Sequence, residues 1–229
     1  MIEHRPLATL GGGDHGWLKA SHHFAFAGVG NPAHRTIGAL KVWNDDMIAP
    51  KTGFPMHFHR DIEIVTYVRE GAITHEDSLG NKGRTAAGSV QVTSAESGIR
   101  HAEYNAEPVP TRMFQIWLET RHLGSPPQGS GRTFPRAHRQ GCFVVLASGR
   151  PDTDALPIDA DAEVLGATAV AGEALTLNLD ADAYVVPTSG RITVNGVELA
   201  AGDGAAVIAE DALSILAIDD TEIVVVALI

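Results

Sequence analysis

Residues 57–81 read HFHRDIEIVTYVREGAITHEDSLGN, and strand-forming and turn-forming residues alternate along them. After a histidine pair, residues 62–68 are rich in β-branched and apolar side chains, which predicts a strand. A turn at residues 70–71 and a second short strand at residues 72–76 predict an antiparallel hairpin. The stretch ends at residues 77–81, whose Asp, Ser, Gly and Asn are typical of a turn.

The same alternation of strand and turn continues along most of the chain. No segment has the periodicity of a long amphipathic helix, so the sequence predicts an all-β protein built as a sandwich or barrel. Residues 121–141 are rich in Gly, Pro, Ser and Arg without periodicity, and we interpret them as the connection between two β units. Further strands are predicted at residues 89–93, 113–118, 143–147, 174–179, 183–187, 190–194, 205–208, 213–217 and 222–227.

Charge and composition narrow the classes of function. The 229 residues include 17 Lys+Arg and 28 Asp+Glu, a net charge of -11, which argues against direct nucleic-acid binding. No apolar run reaches the ~20 residues needed to cross a bilayer, and the N-terminal sequence lacks a secretory signal pattern. Cys142 is the only cysteine, so no internal disulfide can form. We therefore expect a cytoplasmic protein with no membrane partner.

The two halves of the chain differ in charge and in histidine content. Residues 1–138 hold 14 Lys+Arg, 13 Asp+Glu and all 11 histidines, whereas residues 139–229 hold 3 Lys+Arg and 15 Asp+Glu. A site built on histidines can therefore lie only in the first half. The acidic second half is suited to docking on a basic surface of a protein partner.

Two short motifs carry the candidate chemistry. His57 and His59, and likewise His101 and Glu103, are two positions apart, which places both side chains of a pair on one face of a strand. On facing strands they would bring three imidazoles and a carboxylate together, a ligand set for Fe, Mn, Ni, Cu or Zn. Glu63 is an alternative fourth ligand of the same parity, but it lies about 13 Å beyond His59 on an ideal strand. Glu103 needs no such distortion.

Other polar residues have plainer interpretations. Asp45 and Asp46 are expected to form a turn or a solvated pair. His75, on the second hairpin strand, either supports the metal ligands or is merely polar. His23 and His122 lie in loop-like contexts and are expected to be structural or exposed.

The motifs resemble those of a known family. Residues 53–63 followed by Gly71 resemble the first cupin motif, and residues 88–101 followed by Asn105 resemble the second. The run from His57 to Asn105 is similar to the pirin family, in particular to its bacterial branch that resembles quercetin 2,3-dioxygenase. The likeness also includes residues 15–18, 44–46, 75–78 and 115–117.

This resemblance implies a bicupin, with two stacked cupin (jelly-roll) β-barrels in one chain. Residues 1–138 would form a metal-binding barrel with the linker, and residues 139–229 an acidic barrel without a metal site. The resemblance also implies one divalent transition metal, assigned as iron in family members. Its ligands would be His57, His59, His101 and Glu103.

The resemblance further implies a metal-dependent dioxygenase that opens a flavonol-like, quercetin-type ring with O2. Glu103 would act as the catalytic proton acceptor, and Phe54, Met56 and Phe58 would form an apolar wall against a small aromatic substrate. Two other classes stay open. One is a pirin-like, metal-dependent redox sensor or regulatory binding protein without turnover. The other is a bicupin whose metal is mainly structural.

Overall fold

Strand and turn signals in the sequence lead to a fold that is almost entirely β, as predicted. The computed structural model describes residues 1–229. Helical structure is limited to two 3-10 helices, Leu7–Thr9 and Arg136–Arg139. None of the helices is long and apolar enough to span a membrane.

The strands are short and follow one another closely along the chain. In order they are β1 (Ile2–Arg5), β2 (Gly11–Asp14), β3 (Leu18–His22), β4 (Leu40–Ile48), β5 (Gly53–His59), β6 (Ile62–Glu70), β7 (Ala72–Asp77), β8 (Lys82–Ala86), β9 (Ser89–Ser94), β10 (Ile99–Tyr104), β11 (Thr111–Glu119), β12 (Gln128–Thr133), β13 (Val144–Ser148), β14 (Leu156–Pro157), β15 (Ala162–Ala169), β16 (Ala174–Asn178), β17 (Ala183–Ser189), β18 (Arg191–Val194), β19 (Val197–Ala200), β20 (Gly204–Val207), β21 (Ala212–Ala217) and β22 (Thr221–Leu228).

These strands form two barrels of the same plan, which confirms the predicted bicupin. In the first barrel a seven-stranded sheet, β12-β9-β6-β11-β4-β3-β2, faces a four-stranded sheet, β5-β10-β7-β8. The second barrel combines β1-β20-β17-β22-β15-β13-β14 with β16-β21-β18-β19. Strand β1 crosses over, because it pairs with β20 of the second barrel. The division between residues 138 and 139 stays a prediction.

The segment predicted as a plain connection, residues 121–141, contains a strand of the first barrel. β12 pairs with β9 in a continuous antiparallel ladder that joins Gln128 to Ser94 and Thr133 to Ser89. Its residues are nearly all exposed, so no hydrophobic alternation marks it in the sequence. An edge strand needs a partner on one side only, and here backbone hydrogen bonds hold a Gly-rich segment in place.

The two barrels stack through their seven-stranded sheets. Alternate residues of β6, such as Val65 and Tyr67, point toward the second barrel and join a cluster of 24 buried apolar residues to which both barrels contribute. The intervening residues Thr66 and Val68 point into the first barrel. Since side chains alternate along a strand, the interface between the barrels also determines which residues face the interior.

The interiors of the two barrels are filled differently. Between the sheets of the second barrel lie 17 buried apolar residues. The apolar cluster inside the first barrel has only four fully buried members, and polar side chains share the rest of the interior with partly buried aromatic residues. A polar site needs this arrangement, because close apolar packing leaves no space for it. The four apolar residues are Ile48, Val68, Ile73 and Met113.

A buried polar network joins the two barrels. Glu222 on β22 accepts hydrogen bonds from Arg139 at 3.0 Å, from Arg136 at 2.9 Å and from the Tyr67 hydroxyl. Arg139 is fully buried and also donates to the Tyr67 oxygen at 2.9 Å. Burial opposes ionisation of Glu222, but the hydrogen bonds from Arg136 and Tyr67 hold its pKa below the ordinary value. The carboxylate is therefore ionised at neutral pH.

Replacing Glu222 with Gln leaves Arg139 buried without a counter-charge. We expect Glu222→Gln to lower the free energy of unfolding by about 3–5 kcal/mol, as for other broken buried ion pairs. Urea unfolding measures this loss. Glu198→Gln, which removes an exposed partner of Arg191, should unfold at nearly the wild-type urea concentration. Equal shifts in the two variants would contradict a stabilising role for the network.

Candidate metal centre

Three histidines converge inside the first barrel. His57 and His59 lie on β5, and His101 lies on the adjacent strand β10, where it pairs with His57. One ring nitrogen from each histidine lies within 4.8 Å of the other two. The Nε2 atoms of His57 and His101 are 3.0 Å apart. The spacing of two residues within β5 and the pairing of β5 with β10 together produce this convergence.

Burial keeps two of these imidazoles neutral. Together with a smaller effect of the neighbouring His57, it lowers the pKa of His59 to about 4 and that of His101 to about 3. Near neutral pH these rings therefore carry free lone pairs. The Nε2 atom of His59 is buried and has no hydrogen-bond partner. A cation would satisfy it, and a cluster of neutral imidazoles with converging nitrogens is the donor set that divalent transition metals take.

The orientation of His57 agrees with this interpretation. Its Nδ1 atom lies 2.8 Å from the carbonyl oxygen of Pro55. Because a carbonyl only accepts, Nδ1 donates this hydrogen bond, and Nε2 is the ring nitrogen that faces His101. A hydrogen bond from the other ring nitrogen to a carbonyl is the usual way in which proteins orient a metal-binding histidine.

Glu103 lies beside the histidines but is engaged elsewhere. Its carboxylate accepts hydrogen bonds from the Gln115 amide and, at 3.4 Å, from the Thr66 hydroxyl, and it is not one of the three converging groups. Burial raises the pKa of Glu103 to about 7, although both hydrogen bonds act to lower it. The carboxyl can therefore exchange a proton near neutral pH. Its role as the fourth ligand stays a prediction.

Glu63, the alternative ligand, faces away from the histidines. It has the parity of Val65 on β6, so its side chain points toward the second barrel, and it accepts a hydrogen bond from Ser94 at 2.8 Å. The parity argument fails because β5 and β6 are separate strands joined by a turn, in which Asp61 has a φ of 55°. Side-chain alternation can be counted only along one continuous strand.

A β-bulge determines which aromatic residue of β5 lies near the site. His101 pairs with His57, but Glu103 pairs with Phe54 rather than with the residue two positions before His57. The extra residue in β5 brings Phe54 next to His57, with ring centroids 6.1 Å apart. Phe54 also packs edge to face against Trp17 at 5.1 Å. Phe54 and Trp17 thus form an aromatic corner beside the histidines.

The prediction that Met56 and Phe58 form an apolar wall of the site is wrong. Met56 and Phe58 are 41% and 55% exposed, because they lie on the outer face of β5. Instead, Trp117 on β11 packs against His59, with ring centroids 5.0 Å apart. Trp117 was given no role at the site in the sequence analysis. Its Nε1 atom donates to Gln115 at 3.3 Å. Trp117 and Gln115 are two residues apart, and this spacing is the only sequence signal of their shared face.

Asp46 is a second buried carboxyl in the same interior, where the sequence predicted a turn or a solvated pair. It lies within β4 opposite Met113 and is 2% exposed. Burial, with smaller contributions from the charges of Asp45 and Glu103, raises its pKa to about 8. Asp45 points the other way and binds Arg69. The turn prediction is wrong because both residues lie in the middle of a nine-residue strand.

The raised pKa of Asp46 has a testable consequence for stability. Because the folded state favours the protonated form, ionisation costs stability as the pH rises from about 4 to about 8. We expect Asp46→Asn to unfold at a higher urea concentration than wild type at pH 8, with a gain on the order of 2–5 kcal/mol. The gain should be much smaller at pH 5. The metal-free proteins are compared, with the exposed Asp211→Asn as control; a gain independent of pH would contradict the assignment.

Comparison with known proteins agrees with this architecture. The family model for pirin matches residues 4–118, and the model for the quercetinase C-terminal cupin domain matches residues 145–228. A pirin-like protein of Caulobacter vibrioides is 58% identical over 229 residues, covering 99% of each chain. The quercetin 2,3-dioxygenase of Escherichia coli is 36% identical over 226 residues, covering 97% of this chain and 96% of that protein.

A solved structure is similar along the whole chain. The bacterial pirin YhhW from Escherichia coli, in complex with nickel(II), has 35% sequence identity and a TM-score of 0.93. The match covers 100% of this chain and 99% of the other. The matched family models, the relatives and this structure agree, and the chain belongs to the pirin family.

Proposed function

We propose that this protein is a metal-dependent dioxygenase that opens a flavonol-like, quercetin-type ring with O2. The proposal includes one divalent transition metal, iron, held by His57, His59, His101 and Glu103. The observation that carries it is the convergence of three imidazole nitrogens beside a buried carboxyl. The names of similar proteins add support, since a match in Escherichia coli is named quercetin 2,3-dioxygenase and a similar solved pirin structure contains nickel(II).

The proposed chemistry divides between the metal and a buried base. When bound, a divalent metal supplies Lewis acidity, which lowers the pKa of an enolic hydroxyl of the substrate. Glu103, the buried carboxyl beside the histidines, then accepts the hydroxyl proton on its carboxylate. Gln115 and Thr66 donate to the two carboxylate oxygens and keep the base oriented.

Aromatic side chains around the histidines suit an aromatic substrate. Phe54 and Trp17 meet edge to face on one side, and Trp117 lies beside His59 on another. Rings of a flavonol would pack against these faces and displace water from the site. His57 is only partly buried, so its side of the site is reached from outside.

Oxygen uptake tests the proposal. Protein loaded with Fe(II) under anaerobic conditions should consume O2 and quercetin in equal amounts when both are supplied, and should leave quercetin intact without O2. Glu103→Gln should lower kcat by about 10²–10⁴, the contribution typical of a positioned base. Glu119→Gln, an exposed carboxylate on β11, serves as control and should keep the wild-type kcat.

The outcome also separates the proposal from the alternatives. Quercetin turnover without O2, or an unchanged kcat in Glu103→Gln, would contradict the dioxygenase. Absence of O2 uptake with quercetin and related flavonols, together with redox-dependent binding of a protein partner, would favour a regulatory protein that uses the same metal site.

A further inference from the structure

One buried carboxyl group inside the first barrel has no partner in the protein. Asp46 is 2% exposed, and neither a hydrogen bond nor an ion pair holds its carboxyl group. Its neighbours across the sheet are Ala20 on β3 and Met113 on β11, whose side chains cannot donate a hydrogen bond to it. A buried polar group without a partner costs stability, so its presence calls for an explanation.

The charges around Asp46 favour its neutral form. Arg69 is the cation that acts on Asp46, but its guanidinium binds Asp45 on the opposite face of β4. The charge that reaches Asp46 from the inner face is that of Glu103, which opposes ionisation. Burial is the larger effect, and the pKa of Asp46 is raised to about 8. Near neutral pH the group is therefore mainly a carboxylic acid, and its O–H is a donor without an acceptor.

On one side, the neighbours of Asp46 along β4 lead to the buried base. Asn44, Asp46 and Ile48 share the inner face of this strand, because side chains alternate along it. Asn44 pairs with Gln115, the residue whose amide donates to Glu103. Asp46 is the next inward residue, about 7 Å farther along the strand. It therefore lies one step along the inner face from the group that orients Glu103.

On the other side, the same face of β4 leads to the aromatic corner. Ile48, two residues beyond Asp46, belongs to the interior apolar cluster against which Trp17 and Phe54 pack. These two aromatic rings meet edge to face, with centroids 5.1 Å apart. The unpartnered carboxyl group of Asp46 thus lies between the rings that would hold an aromatic substrate and the base Glu103.

We propose that Asp46 is a specificity-determining residue that donates a hydrogen bond to a carbonyl oxygen of the substrate. This inference rests on the proposed function and adds a requirement for a ring carbonyl. A flavonol carries such a carbonyl next to the enolic hydroxyl whose proton Glu103 accepts. A substrate that packs on Phe54 and Trp17 and places this hydroxyl at Glu103 spans the position of Asp46. Its carbonyl oxygen then supplies the acceptor that the buried O–H lacks.

Calorimetric titration of the metal-free protein with two matched probes tests this assignment. Taxifolin has the hydroxyl groups and the ring carbonyl of quercetin but lacks the double bond of the flavonol ring. Catechin has the same hydroxyl groups as taxifolin and no carbonyl. We expect the wild-type protein to bind taxifolin at least fivefold more tightly than catechin, a ratio typical of one additional hydrogen bond.

Three variants of β4 locate the donor. Asp46→Ala should bind the two probes with affinities within twofold of each other, and it leaves no protein group unpartnered, because none binds Asp46. Asp46→Asn keeps an N–H donor at this position and should retain the preference for taxifolin. Asp45→Asn is the matched control, since its side chain points to the opposite face, and it should also retain the preference. Circular dichroism verifies that each variant is folded.

Three results would overturn the proposal. One is a wild-type protein that binds both probes equally or binds neither. Another is a preference for taxifolin that persists in Asp46→Ala. The third is loss of the preference in Asp46→Asn or in Asp45→Asn, because the O–H of Asp46 would then not be its source. Oxygen uptake with quercetin tests the dioxygenase reaction separately, so failure of that reaction and failure of the role of Asp46 are distinguishable.

Discussion

The alternation of side chains along the large sheet of the first barrel is the constraint on which the rest of the structure depends. Val65 and Tyr67 are held in an apolar core shared with the second barrel. Thr66, between them, must then face inward, where it donates to Glu103. A shift of one residue would exchange the apolar and polar faces of β6. Packing between the barrels thereby fixes the side chains that line the candidate site.

The second barrel acts as a support for the first. Its interior is filled with apolar side chains, whereas the interior of the first barrel places Asp46 and Glu103 among buried polar groups, and burial raises the pKa of each. Such groups cost stability. The shared apolar core on the outer face of the same sheet offsets that cost. Apolar packing and buried chemistry thus lie on opposite faces of one sheet.

Much of this could be predicted from the sequence, because its signals are local. Spacings of two residues place His57 with His59 and His101 with Glu103, and turn residues mark the hairpin after Val68. Two of the errors arise where one strand ends or shifts register. The turn at Asp61 reverses the inferred direction of Glu63, and the bulge in β5 moves Phe54 toward the site. Both features depend on the pairing of strands that are distant in sequence, and this pairing cannot be inferred from the alternation of hydrophobic residues.

The central claim is that His57, His59 and His101, with Glu103, hold one metal ion. Metal analysis of protein purified without added ions, combined with X-ray absorption at the metal edge, tests it most directly. The account predicts one first-row transition metal per chain with nitrogen and oxygen ligands, lost for the most part in His59→Ala. The metal should be retained in His122→Ala, because His122 is exposed and binds Asp159 at 2.8 Å. A chain without metal, or equal loss in the two variants, would contradict the account.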